Sequence, residues 1–333
     1  MQTIIAFFRL IRLQNLIIIA VTQYLMRYAI IESLLANIYV SDEGGVLHLP
    51  VLELQLTHFQ FLSLVLSTVF LTAAGYVIND YFDTKTDLLN RPEKVVVGKV
   101  IPRRWAMFIH ITLNVLGIGF GFYVSYALNM AYLVIVFLMV TGLLWFYSTT
   151  YKRQFLIGNL LVALLTALVP FMVVLFELPP VVQTYGDVIS LYQVQLNHII
   201  LWVGGFSFFA FMTTLIRELL KDMEDFEGDR AYGRRSLPVV LGLRSSKLVV
   251  QVLIILTLAS LVSVYFLYLK DTLTLIYILM GLIFPLIYIV LKISKSQSQE
   301  EYHLVSSLSK LVMLIGLGYS ILARFIIVNQ MSF

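Results

Sequence analysis

Nine apolar runs, near 16–36, 59–78, 105–127, 130–148, 156–176, 198–220, 248–268, 273–292 and 304–328, leave this chain few ways to fold. About 20 helical residues cross the roughly 30 Å hydrocarbon core of a bilayer. Backbone groups find no water there, so each run has to satisfy its own hydrogen bonds as a helix. The expected fold is all-α, a polytopic membrane bundle of about nine transmembrane helices, forming a single domain over 1–333. Composition agrees: 60% of residues are hydrophobic and 13% charged, against about 45–50% and 25% in soluble domains. The first run is too long for the apolar core of a signal peptide, and no small-residue cleavage site follows it. The shortest connection, around Leu128-Asn129, is where two spans are most easily merged. With no cysteine, disulfides, zinc–thiolate centres, iron–sulfur clusters and thiol nucleophiles are excluded.

The net charge of +4 is placed for orientation in a membrane, not for nucleic acid. One set of loops carries Arg9, Arg12, Lys85, Arg91, Lys94, Lys99, Arg103, Arg104, Lys152, Arg153, Lys221, Arg230, Arg234, Arg235, Arg244, Lys247, Lys292 and Lys295. The alternate loops 37–57 and 177–197 have no Lys or Arg, and the loop after the seventh run has only Lys270. Cytoplasmic loops carry the excess of Lys and Arg, so the N-terminus is expected inside and, after nine crossings, the C-terminus outside. Gly44-Gly45 with Asp42 and Glu43, and Pro179-Pro180, read as turns on the outer side.

Two acidic stretches on the inner side carry the chemistry: NDYFDTKTD at 79–87 and KDMEDFEGD at 221–229. Asp80, Asp83 and Asp87 repeat as Asp222, Asp225 and Asp229 at a constant offset of 142 residues, which hints at pseudo-repeated halves. On a helix, residues three, four and seven apart share a face, so each triad is expected to present one carboxylate surface. Brought together, the six would repel: unit charges about 4 Å apart cost roughly 4 kcal/mol at an effective dielectric of 20. Carboxylate oxygens suit hard cations, and Mg²⁺ is typically held by one or two carboxylates plus substrate phosphates. The spacing therefore points to a metal–diphosphate site built from two parts of the chain. Calcium-loop, phosphate-loop, zinc-protease and serine-hydrolase signatures are all missing.

Cations flank both motifs. Arg91 and Lys94 follow the first, and Arg217 and Lys221 precede the second four residues apart. Arginine grips phosphate with paired hydrogen bonds, and lysine acts as a point charge. The stretch YSTTYKRQFLIGN at 147–159 adds Tyr147, Lys152 and Asn159 on the same side, and Asn15 stands where the first span begins. Polar groups within spans tend to face cavities, although Asn15 and Asn159 would serve equally as helix contacts.

These residues resemble the UbiA-type intramembrane prenyltransferases. Asn79 to Asp87 is similar to that family's N-D-x-x-D-x-x-x-D, and Asp222 to Asp229 to its second aspartate motif, followed by GRRSLPVVLG at 233–242. Arg12–Asn15 (R-x-x-N), NRP at 90–92 and the Y-S…K-R…G-N of 147–159 are similar too. Within the family, RELLKDMEDFEGD most resembles the digeranylgeranylglyceryl phosphate synthase-like branch, whose members alkylate a glycerol hydroxyl.

The resemblance implies Mg²⁺, as two ions bridged by the substrate diphosphate, an allylic isoprenyl diphosphate donor and a lipophilic acceptor reached from the membrane lipid. The six aspartates would serve as metal-holding catalytic groups, and Asn15, Asn79, Arg91, Lys94, Tyr147, Lys152, Asn159, Arg217 and Lys221 as substrate contacts. The allylic cation would need electron-rich faces, and Tyr76, Tyr81, Phe82 and Tyr147 lie near enough in sequence to supply them. Quinone-precursor prenyltransferases with aromatic acceptors share every motif quoted. A cation-coupled transporter is the rival outside prenyl transfer. A CDP-alcohol phosphotransferase is disfavoured, because its D-G-x-x-A-R opening has no counterpart.

Overall fold

A computed structural model describes residues 2–42, 45–48, 52–90 and 92–329, with the side chains of Asp87 and Lys94 outside the described set. Nine of its helical segments are long and apolar enough to cross a membrane, among the described residues. In chain order the elements are a short amphipathic α1 (Gln2–Leu10) and α2 (Leu13–Ala36), then a hairpin of β1 (Tyr39–Asp42) and β2 (Gly45–His48). They continue with α3 (His58–Asn90), α4 (Arg103–Ala127), α5 (Ala131–Thr149), α6 (Ile157–Leu191) and α7 (Asn197–Glu224). The chain closes with α8 (Phe226–Ala231), α9 (Leu237–Leu269), α10 (Thr272–Lys295) and α11 (Gln299–Val328). The protein is an all-α, multi-pass membrane protein. The connection at Leu128-Asn129 is as short as expected, with Asn129 at φ 55° turning the chain between α4 and α5.

Contacts group the chain into two compact units, each drawn from three separate stretches. The first comprises Met1–Val21, Thr57–Leu161 and Asp225–Gly242. Its frame is α3 against α4 and α4 against α5, held closely by small residues. A Cβ at Gly117 would meet the Leu71 side chain at 2.7 Å, and one at Gly121 would meet the Phe137 ring at 2.5 Å. Ser67 Oγ donates to the Gly117 carbonyl at 2.6 Å, which fixes the α3–α4 crossing. Overpacking of this kind costs about 1–3 kcal/mol. Gly121→Ala is therefore expected to lower the unfolding midpoint of the purified protein by that equivalent, and an unchanged midpoint would mean Phe137 moves aside freely. At one end of this frame Leu10, Ile11, Ala73, Ala74, Val77, Val97, Ile101 and Ala106 form a buried apolar cluster.

The second unit comprises Thr22–Leu56, Val162–Glu224 and Leu243–Phe333. Its α7 packs along α11, which starts on a Ser298/Glu301 capping box. Glu224, at the end of α7, pairs with His303 of α11 at 2.8 Å. It contains a deeply buried ion pair. Arg27 lies on a π-helical stretch of α2 (Leu25–Ile31), and its Nε donates to Glu177 Oε2 of α6 at 2.9 Å. Glu177 Oε1 accepts the backbone N–H groups of Gln55 (2.6 Å) and Leu56 (3.0 Å), and Arg27 also donates to the Leu56 carbonyl.

One expectation needs correction. Pro179-Pro180 is not a turn: α6 runs through both prolines, and its backbone leaves helical geometry only at Tyr185 (φ −112°, ψ 18°). Proline removes a hydrogen bond from an interior turn, yet spans tolerate this where neighbouring groups satisfy the freed carbonyls. The segment read as a glycine turn is a hairpin with Asp42 opposite Gly45, while Glu43 and Gly44 themselves lie outside the described residues.

Candidate active site

The first aspartate motif is carried on one unbroken helix, because α3 continues past Asp80, Asp83 and Asp87 to Asn90. The second is not. α7 ends at Glu224, Asp225 leaves helical geometry (φ −92°, ψ 9°), and α8 starts again at Phe226 with Asp229 in its first turn. The second triad therefore does not present one helical face, which corrects the expectation from its spacing. Gly233, just past the end of α8, stands at φ +66° and turns the chain back. Arg234 N–H closes this turn on the Asp229 carbonyl at 2.9 Å.

Within the first unit, the two motifs share cations. Lys152 Nζ pairs with Asp83 Oδ1 at 2.8 Å and reaches Asn79 Oδ1 at 3.3 Å. The Arg234 guanidinium bridges the motifs, with Nη2 on Asp83 Oδ1 and Nη1 on Asp229 Oδ1, the latter at 3.4 Å. Asp80 Oδ1 accepts from Arg12 Nη2 at 2.9 Å. Arg12 joins α1 to α2 in the left-handed region, at φ 51°. That conformation costs a non-glycine residue roughly 1–2 kcal/mol. The ion pair and a stacking contact over the Tyr76 ring, at 4.7 Å, offset it. Asn15 Nδ2 reaches the same Tyr76 hydroxyl at 3.4 Å.

Burial sets the protonation of the groups outside the spans. Asp229 is 3% exposed, and that burial pushes its carboxyl above the ordinary aspartate range against the pull of Arg234. Burial likewise pushes the Lys152 ammonium down, and the Asp83 carboxylate opposes it.

Asp83, Asp229, Asn79 and Lys152 are thus tied into one network and Asp80 and Asn15 into a second through Arg12 and Tyr76, and half-buried Asp225, Tyr147 and Asn159 belong to the same unit. Asp222, Arg217 and Lys221 lie on α7 in the second unit, where Arg217 Nη1 holds Glu218 at 2.9 Å. Arg91 lies outside the described residues. Two residues of these networks, Arg12 and Arg234, carry no assigned role in the sequence, because an arginine in an inner loop is already accounted for by orientation. Their positions in R-x-x-N and GRRSLP were the available signal. Tyr76 and Tyr81 are not open to an allylic cation on every side: one face of each already holds a guanidinium, Arg12 and, at 4.1 Å, Arg103.

The donor set suits magnesium: these carboxylates are hard oxygen ligands with no thiolate or imidazole in the network. Among the described residues no three acidic or imidazole groups converge as a complete cage. Mg²⁺ does not require one, since it usually keeps water and substrate phosphate oxygens in its shell.

Residues 51–314 match the UbiA prenyltransferase family. The chain belongs to this family. It is an enzyme of prenyl transfer, embedded in the membrane by its apolar spans, and the transporter reading falls away. The digeranylgeranylglyceryl phosphate synthase of Methanosphaera stadtmanae is 30% identical over 74% of this prenyltransferase and 80% of the relative. Further relatives with that name, 30–35% identical, are matched over only 59–60% of their own length. A solved structure concerning digeranylgeranylglyceryl phosphate synthase in membranes superposes with a TM-score of 0.64 at 22% identity, covering 97% of this chain and 99% of that one. A UbiA homolog from Archaeoglobus fulgidus, bound to DMAPP and Mg²⁺, gives 0.61 at 15% identity, covering 97% and 99%. At such identities the likeness speaks for the fold.

Proposed function

We propose that this enzyme transfers an isoprenyl group from an allylic diphosphate to a hydroxyl of a glycerol-phosphate ether lipid of the geranylgeranylglyceryl phosphate type. The observation that carries the reading is Arg234, which ties a carboxylate of the first motif to one of the second. The relatives named digeranylgeranylglyceryl phosphate synthase favour the glycerol-phosphate acceptor. The whole chain is read as one catalytic domain, with the N-terminus and both motifs on the cytoplasmic side and the C-terminus outside.

Asp80, Asp83, Asp225 and Asp229, with Asp87, would hold Mg²⁺, two ions in this reading. Bound magnesium supplies positive charge against the diphosphate as the allylic C–O bond breaks. The chain's own cations complete the cradle. Lys152 and Arg234, which hold Asp83, are the cations placed beside the motifs to take phosphate oxygens. As the donor's C–O bond breaks, the acceptor oxygen forms the new ether bond, and its proton passes to a carboxylate or to the departing diphosphate. A long prenyl tail stays among apolar spans throughout.

Removal of divalent ions with EDTA is expected to stop turnover, and Mg²⁺ to restore it. The raised Asp229 carboxyl gives this a pH dependence. The ion binds the deprotonated form, so the Mg²⁺ concentration for half-activity should rise as pH falls through that raised value. In metal-free protein the sign reverses: the folded state holds this proton more tightly than the unfolded chain. The contribution is then present below the ordinary value of 3.8 and lost as pH rises through the raised one. Activity titrations at several pH values check the first point, and a pH-independent midpoint would remove Asp229 from the ion's shell. Arg234→Gln should lower kcat by about 10²-fold, as loss of one preorganised donor typically does.

The substrate assignment is tested by giving purified protein labelled geranylgeranyl diphosphate with geranylgeranylglyceryl phosphate, 4-hydroxybenzoate or dihydroxynaphthoate. Label on the glycerol lipid supports the reading, whereas label only on an aromatic acceptor replaces it with quinone-precursor chemistry.

A further inference from the structure

The first unit carries an apolar cleft that the proposed reaction does not use. It has a volume of about 380 Å³ and is lined by Phe7, Val100, Ile101, Pro102, Trp105 and Ile109. One wall is α1, whose Ala6 and Leu10 are buried while Ile4, Ile5 and Phe8 face outward. The opposite wall is an ordered turn. The Val96 carbonyl accepts from Lys99, Val100 and Ile101, and Gly98, at φ +84°, donates to the Ile101 carbonyl at 2.8 Å. The floor is the first two turns of α4. The same face of the helix continues into its span as Phe108, Ile111 and Val115, all exposed, so the cleft opens on the side where the bilayer lies.

Lining and charge together choose the occupant. Every lining residue is apolar, which suits a hydrocarbon chain. The cations Arg9, Lys99, Arg103 and Arg104 are interleaved with the lining residues in sequence, and no acid occurs in 4–12 or 94–114. Arg103 is held in place by stacking on Tyr81, and Arg103 and Arg104 form the first turn of α4, where the helix dipole also favours an anion. Trp105, half exposed beside them, is the residue type that settles at the level of lipid headgroups. A soluble anion would have no use for the cleft, and a zwitterionic lipid would have no use for the cluster of cations.

We propose that this cleft binds a resident anionic bilayer lipid, one chain between α1 and the 96–101 turn and the phosphate on Arg103 and Arg104. It is a structural lipid site, separate from the acceptor's.

Trp105 itself is the reporter. In full-length protein carrying Trp145→Phe and Trp202→Phe it is the remaining tryptophan. Such protein is reconstituted into phosphatidylcholine vesicles containing a minor fraction of chain-brominated phosphatidylglycerol or, in parallel, chain-brominated phosphatidylcholine. The anionic lipid is expected to quench Trp105 several-fold more than the zwitterionic one at equal mole fraction. R103Q/R104Q should abolish the preference, while K292Q/K295Q, which removes equal charge from α10, should leave it intact. Equal quenching by the two lipids, or equal loss of preference in both charge variants, would overturn the site. Displacement of the brominated lipid by geranylgeranylglyceryl phosphate would overturn it too, reassigning the cleft to the acceptor. The readout is fluorescence, so it holds whether or not the reconstituted enzyme turns over.

Discussion

Asp83→Asn and Asp229→Asn are each expected to cut prenyl transfer by at least about 10²–10³-fold, the scale at which loss of one preorganised charged group is felt. The asparagine substitution matters more than the alanine one as a test. Asp83 is buried beneath Lys152 and Arg234, so alanine would strand two cations and confound catalysis with folding. Asparagine keeps the shape and one acceptor oxygen but gives up the charge that a divalent ion needs. Size-exclusion profile and unfolding midpoint establish that each variant is folded, and turnover with saturating Mg²⁺ then reads the chemistry. Wild-type turnover in either variant sinks the metal assignment. An intermediate result restored by higher Mg²⁺ places the residue at the ion but not at the bond that breaks.

The largest effect on stability is expected at Arg27 and Glu177. Both side chains are almost fully buried, and neither is near the aspartate motifs in sequence. Removing one partner of a buried ion pair costs about 3–5 kcal/mol, because the survivor keeps its charge without compensation. Glu177→Leu should lie in that range or above it, since Gln55 and Leu56 also lose their acceptor. Replacing both, as Arg27→Met/Glu177→Leu, should cost less than the two single changes added together. What then remains is the orphaned backbone groups, at roughly 1–3 kcal/mol each. Equilibrium unfolding in detergent micelles measures all three variants. A double change at or above the sum would mean the two residues act separately.

The spans were legible in the sequence because the bilayer sets a length that composition must meet. The first motif was legible because three aspartates on a continuous helix obey helical spacing. The second motif has the same spacing but not the same backbone, since the break at Asp225 depends on how 225–234 fold back on themselves. Pro179-Pro180 misled because proline marks a turn in water but is accommodated within a span. Arg234 and Arg12 stayed hidden because sequence offers two sufficient reasons for an arginine beside a membrane. Only contact distances separate a charge that orients the chain from one that touches a carboxylate. Asn15 shows the converse: its polarity flagged it, yet the partner it meets is Tyr76.

The helix α3 contains 33 residues, a length of about 50 Å, whereas the hydrocarbon layer is about 30 Å thick. Its final turns must therefore rise out of the oil into the headgroup layer, and these turns carry Asp80, Asp83 and Asp87. An amphiphile anchored by its tail can float its charged end up to that height without ever dissolving. Substrate supply then becomes diffusion in two dimensions, and activity should track the mole fraction of donor in the membrane instead of its bulk concentration.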